Sequence, residues 1–227
     1  MTAEESRANQ YTVLSSFEPV ESLLEIKKSE FIGHVKRVQT ESEARAYIEE
    51  IRKKYHDARH VCSAFVLGPD RETQRSSDDG EPAGTAGIPM LQALLNRRTS
   101  TEDESVMDLS DICAVVVRYF GGIKLGAGGL VRAYTDAVVQ VLDEAELVPR
   151  RRLRMGAIET SFAEAGKLEN ELRAAGIHVD TTDYGTGSAS IIIGVFDSPA
   201  SKAELEEQLA ALTAGASSVA WQDTLWV

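Results

Sequence analysis

Cysteine, histidine and aromatic residues are scarce in this 227-residue chain: two Cys, four His and 6% Phe, Trp and Tyr. Two cysteines, Cys62 and Cys113, each inside an apolar run, make no disulfide framework and are expected to be reduced, buried thiols. Little is left from which to build a zinc site, because His60 and Cys62 alternate on one stretch but no second ligand pair follows. No Ser-His-Asp arrangement and no G-x-S-x-G elbow occur. No apolar run approaches the ~18 residues of a membrane span, and no secretory h-region stands at the N-terminus. A soluble, cytoplasmic protein is the expectation. Positive charge is in deficit as well: the formal net charge is −12, and neither half is basic. That excludes a general polyanion-binding protein and leaves room only for a local basic patch.

What is present suits a globular protein, with 43% apolar and 26% charged residues. Residues 1–10 are polar and expected to fray. Segments 22–27 and 30–38 read as strands. Residues 41–55 have helical spacing, with Ala44, Ile48 and Ile51 on one side, Thr40 as N-cap and Glu43 completing a capping box. Residues 60–67 read as a strand, 71–87 as a polar loop and 88–95 as a short helix. Residues 111–118 form a strand apolar enough to be buried on both faces, and 129–146 a helix. The run Pro149-Arg150-Arg151-Arg152 reads as a boundary. Beyond it the order is strand, helix, strand, strand, helix, strand, with Gly185-Thr186-Gly187 as a hairpin turn and Ser198-Pro199 opening the last helix. Trp221 and Trp226, with Leu225, read as packing for the last strand. The fold class is therefore α+β with two domains, 17–146 and 151–227, the second a ferredoxin-like βαββαβ plait.

Two loops carry the chemistry. In the first, Arg118-Tyr119-Phe120-Gly121-Gly122-Ile123-Lys124-Leu125-Gly126-Ala127-Gly128-Gly129 connects the apolar strand to a helix. Glycines let a ligand approach the main chain, and a helix start offers unpaired N–H groups and partial positive charge. Gly121, Gly122, Gly126, Gly128 and Gly129, with Arg118, Lys124 and Arg132, are a candidate phosphate or anion site. The motif is neither a P-loop nor a clean G-x-G-x-x-G. Arg132, read as lying in the first helical turn, is disfavoured there unless an anion or a carboxylate partner is present. The bland alternative is that Gly128 and Gly129 only let the helix pack closely on the sheet. The second loop crowds Asp78, Asp79 and Glu81 together ahead of Gly84 and Thr85. In a cleft such crowding raises a pKa or attracts a cation; on the surface it is a turn with N-capping acids. Asp78, Asp79 and Glu81 are also the obvious internal partners for Arg118, Lys124 and Arg132.

These loops resemble those of the YigZ/IMPACT family. The resemblance rests on Ser77-Asp78-Asp79-Gly80-Glu81-Pro82-x-Gly84-Thr85-Ala86-Gly87, on the run from Val116 to Tyr134, on Glu25-Ile26-Lys27-Lys28-Ser29-x-Phe31-Ile32 and on Ala58-Arg59-His60-x-Cys62. Val61 and Ser63 depart from the family pattern, which often has Asn and an aromatic around the cysteine. The resemblance implies an N-terminal domain like the second domain of ribosomal protein S-five, with GHMP-kinase-like topology, and a C-terminal domain like the fifth domain of elongation factor G. Eukaryotic members are translational regulators that carry an added N-terminal partner-binding domain, for which residues 1–16 are too few.

The expected function is a non-catalytic RNA- or ribosome-associated factor in translation regulation. RNA, the ribosome or a translation-related protein is the implied partner, with no membrane and no cofactor. The alternative is an enzyme on a nucleotide or other small phosphorylated substrate, with Asp78 or Glu81 as base or metal ligand. No catalytic or metal-ligating residue is assigned.

Overall fold

The computed structural model describes residues 7–103 and 105–227. The expected fraying at the N-terminus falls in part on residues 1–6, outside the described residues. The described chain divides into two compact units, one of residues 11–149 and one of residues 150–227 together with residues 7–10.

The first unit is built on an antiparallel sheet. Its strands are β2 (Val20–Ile26), β3 (Ser29–Arg37), β6 (Ile112–Tyr119), β4 (His60–Leu67) and β5 (Thr73–Ser77), side by side in that order. β3 and β4 both run antiparallel to β6, which lies between them. The helix α1 (Glu41–Lys54) joins these two separated strands. β6 is fully buried from Ile112 to Val117, and its period-2 alternation sorts side chains between two cores. Ile112, Ala114 and Val116 face α2 (Gly87–Leu95) and α3 (Ala127–Asp143), while Cys113, Val115 and Val117 face α1. α1 forms as its spacing predicts, burying Ala44, Tyr47 and Ile51. Its cap is a variant of the expected box. Thr40 Oγ1 accepts from Glu43 N–H (3.1 Å), but Glu43 reaches back to the N–H of Gln39 (2.7 Å) rather than of Thr40. Both cysteines are free and buried.

Two expectations need correction. The segment 71–87 is not all loop, because β5 pairs with β4 from Ser63↔Ser77 to Leu67↔Thr73. β5 is an edge strand with no buried residue, so it lacks the apolar alternation by which strands are recognised. Residue 10 does not lie in a frayed tail but begins β1 (Gln10–Leu14), whose Tyr11, Val13 and Leu14 are buried. The division between the two units falls at the arginine run, which lies inside the continuous strand β7 (Leu147–Thr160) rather than in a loop. There Arg152 and Arg154 share Asp197, at 2.8 and 3.2 Å.

In the second unit β7 is followed by α4 (Phe162–Ala174), β8 (His178–Tyr184), β9 (Ala189–Phe196), α5 (Pro199–Thr213) and β10 (Val219–Trp226). The sheet order β10-β7-β9-β8, all antiparallel, is the ferredoxin-like arrangement. Leu168 and Leu172 of α4 and Leu205 and Leu209 of α5 share one core with Ile158, Ile191 and Ile193, so both helices cover the same sheet face. Ser198 caps α5 by accepting from Ser201 N–H (3.1 Å), with Pro199 following. Trp221 packs against this core and donates to Glu206, and Trp226 lies beside the Arg152 guanidinium. Leu225, by contrast, is exposed.

Candidate functional site

The acidic turn follows β5 and feeds α2. Asp78 Oδ2 accepts from Gly84 N–H (2.8 Å), and its Oδ1 accepts from Ala86 (3.0 Å) and Gly87 (2.8 Å). Asp78 thus satisfies the start of α2, whose N-cap residue, Ala86, has no side chain able to do so. Burial alone raises the Asp78 carboxyl pKa, but the three N–H donors outweigh it and hold the group below the usual carboxylate range. Asp79 turns the other way. Its Oδ1 pairs with Arg52 (3.0 Å), its Oδ2 accepts from Val61 N–H (2.8 Å), and its carbonyl lies 3.1 Å from His60 Nδ1. Glu81 points inward, where Oε1 meets Arg118 Nη1 at 2.5 Å and accepts from the Tyr134 hydroxyl at 2.8 Å. Thr85 is buried and donates to Pro82 O (2.7 Å). Among the described residues no group of three or more His, Cys, Asp or Glu gathers in the manner of a metal site.

Beneath this turn lies a buried polar network. Cys62 Sγ is 2.9 Å from Asp78 O and 3.3 Å from the Tyr134 hydroxyl, so its single thiol proton has two acceptors. Burial pushes the Cys62 thiol up to about 12. Burial, with Cys62 and Glu81 alongside, also holds the Tyr134 hydroxyl well above its ordinary pKa. These positions belong together because Phe31 on β3 and His60 on β4 both stand opposite Arg118 on β6. Arg118 is 7% exposed. Its guanidinium lies between the rings of Phe31 (5.6 Å) and Phe120 (5.7 Å).

The glycine loop leaves this row at Phe120. Within this loop Gly121 is the glycine where a side chain has no room: a Cβ there would lie 1.8 Å from Lys28 O. Its N–H donates to Ser29 Oγ (3.1 Å). This approach sets the loop against the two-residue β2–β3 turn, Lys27-Lys28, both at positive φ (49° and 64°). Asn and Gly are the usual residues at such positions, and lysine adopts positive φ only at some cost. Both lysines are exposed. α3 begins at Ala127 rather than at Gly129, with Gly126 as an N-cap that supplies no side chain and with no acid in the first turn. Gly122, Lys124, Gly126, Ala127 and Gly128 are exposed, and a Cβ on Gly128 would meet nothing within 4 Å. Close helix-on-sheet packing is achieved elsewhere, at Gly33, where a Cβ would lie 2.8 Å from Ala137 O. Gly129 contacts only Leu125, in its own loop.

The sequence-derived residues therefore separate into two states. Arg118 is buried and paired with Glu81, so it is not an open phosphate ligand. Lys124 and Arg132 are exposed and make no hydrogen bond or ion pair among the described residues. Arg132 stands in the second turn of α3, because the helix starts earlier than its spacing predicts. Of the three acids, only Glu81 pairs with one of the three cations. The structure adds Lys27, Lys28 and Phe120, at positions the family motifs include but that residue chemistry had not singled out. Two lysines in a hairpin turn were the available signal.

Fold and site define a two-unit α+β protein with an acidic turn and a basic glycine loop on its first unit. Residues 27–142 match the family model of the Impact N-terminal domain, and residues 158–216 match the domain of unknown function DUF1949. The chain is 36% identical to the IMPACT family member YigZ of Escherichia coli over 199 residues, covering 87% of this chain and 91% of that protein. It is 49% identical to YvyE of Bacillus subtilis over 148 residues, 65% of this chain and 64% of the relative. A crystal structure described as that of a hypothetical protein superposes with a TM-score of 0.58 at 33% identity, covering 94% of this chain and 97% of the other. The chain belongs to the IMPACT family. No helix of its described residues is long and apolar enough to cross a membrane.

Proposed function

We propose that this protein is a cytoplasmic, non-catalytic RNA- or ribosome-associated factor in translation regulation, and that it holds phosphates at the start of α3. The observation that carries this reading is the state of that helix start. It is uncapped, exposed and free of acids, with Lys124 and Arg132 beside it unpaired among the described residues and Lys27-Lys28 brought alongside through Gly121. Unpaired N–H groups and unneutralised cations are what a phosphate backbone needs. The translational setting is suggested by family membership; a translation-related protein is the other partner in keeping with it.

The enzymatic alternative requires a carboxylate available to take a proton or hold a metal ion. Asp78, Asp79 and Glu81 are instead engaged by backbone N–H groups, by Arg52 and by Arg118, which favours the binding reading. The test is RNA binding by the intact chain across a salt series. Four cations neutralising four phosphates give a log–log slope of about −2.8 on a single strand, and Lys124→Ala with Arg132→Ala brings it to about −1.4. A flat salt response, or stabilisation by a nucleotide with magnesium in place of RNA binding, overturns the reading.

A further inference from the structure

Phe120 is the feature that the phosphate reading does not use. The residue is 53% exposed at the head of the glycine loop. It is not a loose surface side chain, because the Arg118 guanidinium lies 5.7 Å from its centroid and Phe31 lies 5.6 Å from the same guanidinium. Phe31, Arg118 and Phe120 thus form a ladder from the core to the surface. The ladder is fixed at its base by the Glu81 pair and by the edge-to-face contact of Phe31 with Tyr134 (5.3 Å, 88°). The Nε of Arg118 is buried without a hydrogen-bond partner, and its guanidinium is within cation–π range of both rings. The guanidinium lies over the Phe120 ring, and about half of the residue remains exposed. Ile123, 44% exposed, adds apolar surface in the same loop. The acids of the neighbouring strands do not crowd it: Glu30 stands opposite Tyr119, on the other sheet face from Phe31 and Arg118.

We infer that Phe120 is a stacking platform for an unpaired base, so that the ligand of this site is single-stranded RNA rather than duplex RNA or a protein surface. The inference rests on the phosphate-binding reading and names its ligand class. An aromatic ring held against a guanidinium loses little freedom when a base lands on it, which favours stacking. Cations flanking such a ring are the recurrent design of single-strand binders: the charges follow the backbone and the ring takes a base of any identity. In a duplex the base faces are already stacked on one another and cannot reach Phe120.

The test is fluorescence anisotropy of the full chain with a labelled oligouridine of about twelve nucleotides and with an RNA duplex of equal length. The single strand is expected to bind more tightly. Phe120→Ala and Phe120→Leu each weaken single-strand binding roughly 5- to 100-fold at an unchanged salt slope, and Phe120→Trp retains it. Leucine preserves an apolar cover over Arg118 without a π-face, so it separates stacking from a structural role, and equal melting temperatures confirm intact folds. Wild-type affinity in Phe120→Leu, as expected of a platform for a protein partner, overturns the inference; so does equal binding of duplex and single strand. Absence of RNA binding in the unsubstituted chain overturns the phosphate reading itself, a different outcome from either of these.

Discussion

The acidic turn and the glycine loop are built alike and are in opposite electrostatic states. Each is a small-residue segment that follows a strand and opens a helix. At α2 the helix start is filled: Asp78 takes three N–H groups, and Asp79 and Glu81 each have partners. At α3 the corresponding N–H groups have no side-chain cap, and Lys124 and Arg132 stand beside them without partners among the described residues. A helix terminus is a polar site only until the chain supplies its own cap. Glu81 is the join between the two regions, since it removes Arg118 from the pool of available cations.

That contrast breaks most severely at Glu81. Glu81→Ala leaves a guanidinium buried without its counter-charge and costs about 3–5 kcal/mol, read by urea unfolding. Pairing Glu81→Leu with Arg118→Met recovers most of that loss, because an apolar isostere carries no desolvation penalty. Gly121→Ala comes next. Its Cβ collides with the Lys28 carbonyl, so the loop or the β2–β3 turn must move, at about 3 kcal/mol; unfolding measurements and lost RNA affinity report it together. Asp78→Ala uncaps α2 and costs about 2 kcal/mol. Its pH dependence has a defined sign. The Asp78 pKa is lowered in the folded state, so its contribution is full above the ordinary carboxylate pKa and is lost as pH falls through the lowered folded value. Unfolding midpoints between pH 7 and pH 2 should therefore converge for the parent and Asp78→Ala at the acid end. Smallest in stability is Lys124→Ala with Arg132→Ala, within about 0.5 kcal/mol by thermal melting, because neither side chain has a partner to lose. Its effect is confined to the RNA salt slope.

The same contrast explains what could be read from residues alone. The N-capping interpretation of the acidic turn was legible at Asp78, because its donors at 84, 86 and 87 lie within nine positions. That one of these acids would pair with one of the cations was also legible, but not that Glu81 and Arg118 would be the pair, because they are 37 residues apart and meet only once β6 and the turn are packed together. Lys27 and Lys28 become part of the site through a close backbone approach to Gly121, which leaves no mark on composition or periodicity. β5 escaped notice because an edge strand that buries nothing has no alternation to detect.

Local pattern alone settled the α+β class, the doubly apolar strand β6, the capped helices α1 and α5, and the order of the C-terminal plait, since period and caps are written within a few residues of one another. Tertiary structure alone decided which of three similar cations stay open to solvent, which carboxylates serve as caps or counter-ions, and that Phe120 stands on a buried guanidinium. Those outcomes depend on partners brought together across the sheet, and a charge is neutralised by whatever lies within a few ångströms in space, however distant in sequence.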